Sequence, residues 1–178
     1  MKFDTQKAKA VLLYIIRNTG LADFHKLFNI LYFAEKEHLV KYGRSIIGDN
    51  YIAMKFGPVP SFIYDCFKAI RGDGYYIEEL ENFYRAFEVK NDHYLQAKEE
   101  PDMEELSQSD IECLTKVIKD NKNLSFTRLS EKSHDHAWKS VTRDDTIDMI
   151  KIAESGGANK EMIKYIKENK DYHNISFE

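Results

Sequence analysis

Four consecutive residues, Ser133-His134-Asp135-His136, carry the side chains that acyl-transfer enzymes use as nucleophile, general base and orienting acid. A working relay assembles those groups from separated chain positions, because sequence neighbours do not usually line up their side chains in series. No Gly-x-Ser-x-Gly elbow accompanies them. The competing structural reading has His134 hydrogen-bonding to a backbone group while Trp138, four residues on, packs on the core, a spacing that suits one helical face. That reading is preferred, and no catalytic residue is assigned.

The other chemical patterns are weaker. His134-x-His136 has a spacing that can chelate, but no Cys or His cluster completes a tetrahedral set. The remaining histidines, at 25, 38, 93 and 173, are scattered, and His38 reads as an amphipathic residue at a helix edge. Arg71-Gly72-Asp73-Gly74 lacks the Gly-x-x-x-x-Gly-Lys of a phosphate loop and the third glycine of a dinucleotide loop. The acidic runs Glu78-Glu79-Leu80-Glu81 and Glu99–Glu105 read as solvated surface. Neither a metal nor a cofactor is expected.

The elements that hold these residues follow from periodicity. Ala8, Val11, Leu12 and Ile15 mark one face of a helix over 5–18, closed near Gly20. Asp23 caps a second helix whose face runs Phe24, Leu27, Phe28, Leu31 and which extends to Tyr42 before Gly43 breaks it. Ile30 and Phe33 widen its apolar surface, so it is expected at the centre of the core. Ile63, Cys66, Phe67 and Ile70 mark a third helix. Alternation over Phe83–Val89, then Asn91-Asp92 as a two-residue turn before His93–Ala97, reads as a small antiparallel sheet that the 50–56 segment could join. Ser107 and Asp110 form a capping box for a helix through Ile111, Leu114 and Ile118. Leu124–Lys139 reads as a short helix, a break and a further turn, and Ile147–Ala153 and Glu161–Asn169 as two closing helices. Leu124–Glu131 looks like half a helix-turn-helix, but acidic residues oppose its few basic ones, and a structural helix is preferred.

Between the second and third helices lies the most informative stretch, Asp49-Asn-Tyr-Ile-Ala-Met-Lys-Phe-Gly-Pro-Val-Pro60. Tyr51, Ala53 and Lys55 fall on one side of an extended chain, with Ile52, Met54 and Phe56 on the other. Gly57 lets the backbone turn, Pro58 and Pro60 remove two amide donors and push Gly57 and Val59 towards extended geometry, and Pro60 opens a helix. A strand stopped sharply is expected. Nothing here is a nucleophile, a metal ligand or a general base, so the segment offers a shape to another molecule. Interface cores favour aromatics and Met, and the expected partner-binding residues are Tyr51, Met54, Lys55, Phe56, Pro58, Val59, Phe62 and Tyr64.

Composition bounds the class. A chain of 178 residues with 43% hydrophobic, 13% aromatic and 31% charged residues suits one globular domain. A net charge of −4 argues against a dedicated nucleic-acid surface. No apolar run approaches the roughly 20 residues of a membrane span, and the N-terminus enters an amphipathic pattern without a signal-peptide region. Cys66 and Cys113 lack paired spacing and read as buried thiols in a reducing compartment, which places the protein in the cytoplasm.

Three stretches together resemble the Panacea domain family, also called SocA-like. They are Leu27-Phe-Asn-Ile-Leu-Tyr-Phe-Ala-Glu35 running into His38–Arg44, Gly48–Ser61, and Leu129-Ser-Glu-Lys-Ser-His134 with Ala137-Trp138, within a resemblance covering about residues 5–170. Asp49, Gly57, Pro60, His134 and Trp138 fall in these signatures and read as structural. The resemblance implies an antitoxin of a bacterial or phage type II toxin–antitoxin pair that neutralises a cognate toxin protein by direct contact. It also implies two alternatives, an adaptor delivering the toxin to a cytoplasmic AAA+ protease and a DNA-binding regulator of its own operon. Some members carry an added DNA-binding domain ahead of this one. This chain begins with the family's first helix, so nucleic-acid binding is not expected. It brings no catalytic residues with it. The expectation is a single domain over 1–178, α+β and predominantly helical, with six or seven helices, a small antiparallel β element, and a tail at 170–178 that frays.

Overall fold

Two aspartates start the first two helices. Asp4 accepts the amide of Lys7 at 3.0 Å and opens α1 (Thr5–Thr19), and Asp23 accepts that of Lys26 at 2.7 Å and opens α2 (Phe24–Tyr42). Each side-chain oxygen satisfies an amide the helix cannot pair internally. Gly43, left-handed with φ 67°, ends α2 by donating to the Leu39 carbonyl. The computed structural model describes residues 3–20 and 22–173.

α2 is the axis of the molecule. Leu27, Phe28, Ile30, Leu31, Tyr32, Phe33 and Ala34 are all buried, which no single stripe could achieve. Around it pack α1, α5 (Gln108–Asn121), α6 (Phe126–Ser133) and α8 (Met149–Ser155). Each fully buried Leu or Ile there contributes about 1.5–3 kcal/mol relative to an exposed position. α3 (Ser61–Arg71), α4 (Glu81–Tyr84), α7 (His136–Lys139) and α9 (Lys160–His173) complete the helices. The capping box of α5 forms as its sequence implies: Ser107 Oγ accepts the Asp110 amide and Asp110 accepts the Ser107 amide.

Two small antiparallel sheets accompany them. β1 (Ala22–Asp23), β5 (Tyr94–Ala97) and β4 (Phe87–Lys90) form one in the order β1-β5-β4. β2 (Tyr51–Met54) and β3 (Gly57–Pro60) form a separate hairpin. The architecture is α+β and mostly helical, and no helix among the described residues is long and apolar enough to cross a membrane.

Several local expectations are corrected. The helix count is nine among the described residues, because 124–139 divides into α6 and α7 and α4 forms where strand was expected. The alternating run from Phe83 starts as the helix α4, whose Phe83 and Tyr84 are both buried; strand begins only at Phe87. Lys90 pairs with Tyr94, so the hairpin loop is Asn91-Asp92-His93, not two residues, with φ 48° and 64° at the first two. The 50–56 segment does not join that sheet. His38 sits in the interior, its Nδ1 on the Arg44 carbonyl (2.7 Å), because α5 covers the α2 face that the sequence left open. α9 runs to His173, and the rest of the expected tail lies outside the described residues.

Candidate functional site

The chain does not stop at Gly57 but returns as β3, with Pro58 opposite Ala53 and Pro60 opposite Tyr51. Proline is tolerable there because β2 spends those backbone groups on its other edge. The Ala53 amide donates to Asp145 O (3.0 Å), the Asp144 amide to Ala53 O (2.8 Å) and the Ile147 amide to Tyr51 O (2.8 Å). The missing amides of Pro58 and Pro60 are therefore not wanted by the ladder. Pro60 is the N-cap of α3, a position it occupies with no side-chain hydrogen bond to give. Asp49 supplies the cap from across the hairpin, accepting the amides of Phe62 (3.1 Å) and Ile63 (2.9 Å). Burial raises the Asp49 pKa, against the lowering effect of those amides.

The hairpin tip is held by ring nitrogens from distant elements. Trp138 Nε1 donates to the Met54 carbonyl at 2.9 Å, and His25 Nε2 lies 3.1 Å from the Phe56 carbonyl. His134 stacks on Trp138 with centroids 3.9 Å apart; burial lowers its pKa, partly offset by the nearby Lys55 backbone. Gly57 sits at φ 138°, and a Cβ there would meet Ser133 Oγ at 2.6 Å and Asn29 Oδ1 at 2.9 Å. Both the backbone angle and the close approach to α2 and α6 require glycine.

Ser133-His134-Asp135-His136 forms no relay. Ser133 Oγ donates to the Ser130 carbonyl. Asp135 Oδ2 accepts Tyr32 Oη and Lys36 Nζ, both at 2.8 Å, and its Oδ1 caps α7 through the Trp138 amide. Burial pushes the Asp135 carboxyl up, but Lys36, the Trp138 amide and Tyr32 outweigh it and leave its pKa lowered. The His134–Trp138 pair spans the break between α6 and α7 instead of one helical face, because Asp135 restarts the helix between them. His25 Nε2 also lies 2.8 Å from Ser130 Oγ. The Phe56 carbonyl can only accept, so Nε2 carries the proton and cannot take one from Ser130. Among the described residues no three His, Cys, Asp or Glu side chains converge as metal ligands.

What the hairpin does create is an open apolar cleft of about 360 Å³ between its tip, α2 and α6. Of the residues expected at a partner surface, Met54, Lys55, Phe56, Pro58, Val59 and Tyr64 line it. Tyr51 and Phe62 do not. Tyr51 is 3% exposed and packs edge-on against Tyr32, since alternation along β2 points it inward. Phe62 turns to the opposite side of α3, against Phe3. Phe56 and Phe126 are 48% and 46% exposed, with rings edge to face at 5.1 Å, and Phe126 stacks on His25 at 3.8 Å. His25, Phe126 and Arg143 line the cleft without any signal in the sequence, because three distant segments meet there only in the folded chain. Glu35 was likewise silent. It is 2% exposed and accepts the amides of Ile46 (2.6 Å), Ile47 (3.0 Å) and Gly48 (3.2 Å), fixing the loop that leads into β2.

The family model described as antitoxin SocA-like, Panacea domain matches residues 27–139, more than half of the chain. That span runs from α2 to α7 and includes Asp49, Gly57, Pro60, His134 and Trp138. No curated protein and no solved structure matches the chain.

Proposed function

Because the chain belongs to the antitoxin SocA-like, Panacea domain family, we propose that it neutralises the toxin protein of a type II pair by binding it directly at the β2–β3 cleft. One observation carries the choice of surface: Phe56 and Phe126, each nearly half exposed and touching edge to face, line an apolar cleft beside a hairpin tip whose backbone is pinned by Trp138 and His25. Exposed aromatics on a pre-ordered frame are what a tight interface needs, because little conformational freedom is lost on association. An interface of roughly 1,600 Å² in total, centred on those rings, suffices for stable inhibition. The asparagine, histidine and tryptophan side chains around Gly57 then serve to hold the contour. The site of action is the cytoplasm of a bacterium, in keeping with Cys66 and Cys113 as buried free thiols, and phage defence is the setting such pairs suit.

Co-expression with the product of the adjacent reading frame tests this reading. The native chain restores growth and co-purifies with that product, whereas Phe56→Asp/Phe126→Asp, folded by circular dichroism, does neither. Full rescue by the folded double variant overturns the assignment of the cleft.

A second reading, delivery of the toxin to a AAA+ protease, is favoured by a separate apolar patch. Tyr75, Tyr76 and Ile77 are 95%, 60% and 45% exposed and none of them lines the cleft, which leaves them free for a second partner. Toxin half-life in cells with and without the protease separates delivery from simple occlusion. DNA reading gains no such support: Leu129 of α6 is buried and Glu131 pairs with Arg128 at 3.5 Å.

A further inference from the structure

The charge around the cleft runs opposite to that of the chain. The sequence holds 26 Lys and Arg against 30 Asp and Glu, yet the charged residues lining the cleft are Lys55 and Arg143, with no carboxylate among them. Three of its aromatic rings also carry a cation over the face: Lys55 on Phe56 (5.0 Å), Lys68 on Tyr64 (4.8 Å) and Arg71 on Phe24 (5.5 Å).

These cations are not equivalent. Asp65 lies 2.6 Å from Lys68 and Asp73 2.7 Å from Arg71, so both are matched within the chain. Lys55 is exposed and makes no ion pair among the described residues. Among the described residues Arg143 pairs only with its neighbour Asp144, at 3.9 Å, with both side chains about two-thirds exposed. Lys55 is thus unpaired among the described residues, and Arg143 only loosely paired, beside an apolar slot whose volume suits one large side chain.

We propose that the cleft receives an acidic segment of the partner protein, one aromatic or large aliphatic side chain seated against Phe56 and Phe126 and neighbouring carboxylates reaching Lys55 and Arg143. This rests on the reading of the cleft as the partner-binding face and adds the chemistry of what enters it. A basic segment would meet Lys55 and Arg143 as like charges with no carboxylate in the lining to receive it. Complementary rim charge acts mainly on partner choice and encounter rate, and it is screened by salt.

A displayed library of random twelve-residue peptides, selected on the full chain at low salt, tests the proposal. Selected peptides carry a Phe, Trp or Leu flanked by Asp and Glu, and their binding weakens on the order of tenfold with Lys55→Glu/Arg143→Glu. Enrichment of basic or uncharged peptides, failure to enrich any, or unchanged binding to the charge-reversed chain overturns it. The two levels separate in the growth assay. If folded Lys55→Glu/Arg143→Glu rescues fully while Phe56→Asp/Phe126→Asp fails, the acidic segment is wrong and the cleft stands. If both rescue fully, the cleft itself is wrong.

Discussion

The indole of Trp138 donates to the carbonyl of Met54 across 84 positions of sequence, at 2.9 Å. With His25 on the Phe56 carbonyl, it makes the hairpin tip part of the helical core instead of a free loop. Trp138→Phe keeps most of the packing and removes the donor, leaving a half-buried carbonyl to find water. A loss of about 1 kcal/mol is expected. Amide exchange at residues 54–57 should accelerate more than in α1, and an unchanged pattern would show that the tip does not depend on this bond.

Gly57→Ala combines an unfavourable backbone angle with contact on Ser133 Oγ and Asn29 Oδ1. Each strained or overpacked position costs about 1–3 kcal/mol. Thermal denaturation should show a clear fall in Tm. Gly72→Ala, where a Cβ meets nothing within 4 Å, keeps the strain of its φ of 97° but lacks the clash, and falls less.

Glu35→Ala would strand the amides of Ile46 and Ile47 in a buried site and release that of the exposed Gly48. At about 1–3 kcal/mol for each unpaired group, less any entry of water, the loss is about 3 kcal/mol or more. Urea denaturation measures it. Asp49→Ala, which removes only the α3 cap and its turn, costs about 1–2 kcal/mol.

Tyr51 and Phe56 should part company under substitution. Tyr51→Ala empties a core position and costs about 3 kcal/mol or more. Phe56→Ala leaves stability within about 0.5 kcal/mol of native and lowers affinity for the partner. Loss of binding by Tyr51→Ala therefore reports on folding, and a Tyr51→Ala chain as stable as the native one would contradict its placement.

His25, His38 and His134 each titrate below their ordinary value of 6.5, chiefly because burial disfavours the charged ring. The unfolded chain takes up these protons first as pH falls. Their contribution to stability is therefore complete above about 6.5 and declines as pH drops through the lowered pKa values. Glu35 and Asp49, raised by burial, work in the opposite sense: their part of the stability is complete below 4.5 and 3.8 and declines as pH rises through the raised values. Titration of the imidazole proton resonances isolates the histidines; midpoints above 6.5 would contradict their burial.

Much of the helical frame was legible in the sequence because its signals are local. The 3.6-residue periodicity, Asp23 before Phe24, Ser107 with Asp110, and Gly43 and Gly72 past their helices each act within a few residues of where they stand. The Gly-Pro-Val-Pro segment was legible as a special shape, yet its partner strand was not, since pairing depends on which backbone groups the 144–147 segment had already taken. The run at Phe83 misled because a buried aromatic pair suits a helix turn as well as a strand.

By itself the sequence determined the class of the molecule, its central helix, and the family signatures at Gly48–Ser61 and Leu129–Trp138. Only the tertiary structure decided that Tyr51 faces inward while Phe56 faces out, that Phe126 and Arg143 join the hairpin, and that Lys55 and Arg143 line one cleft with no carboxylate in its lining. The reason is physical: periodicity says which side of an element is apolar, whereas a cleft is defined by surfaces from α2, α6 and the hairpin that become neighbours only when the core closes.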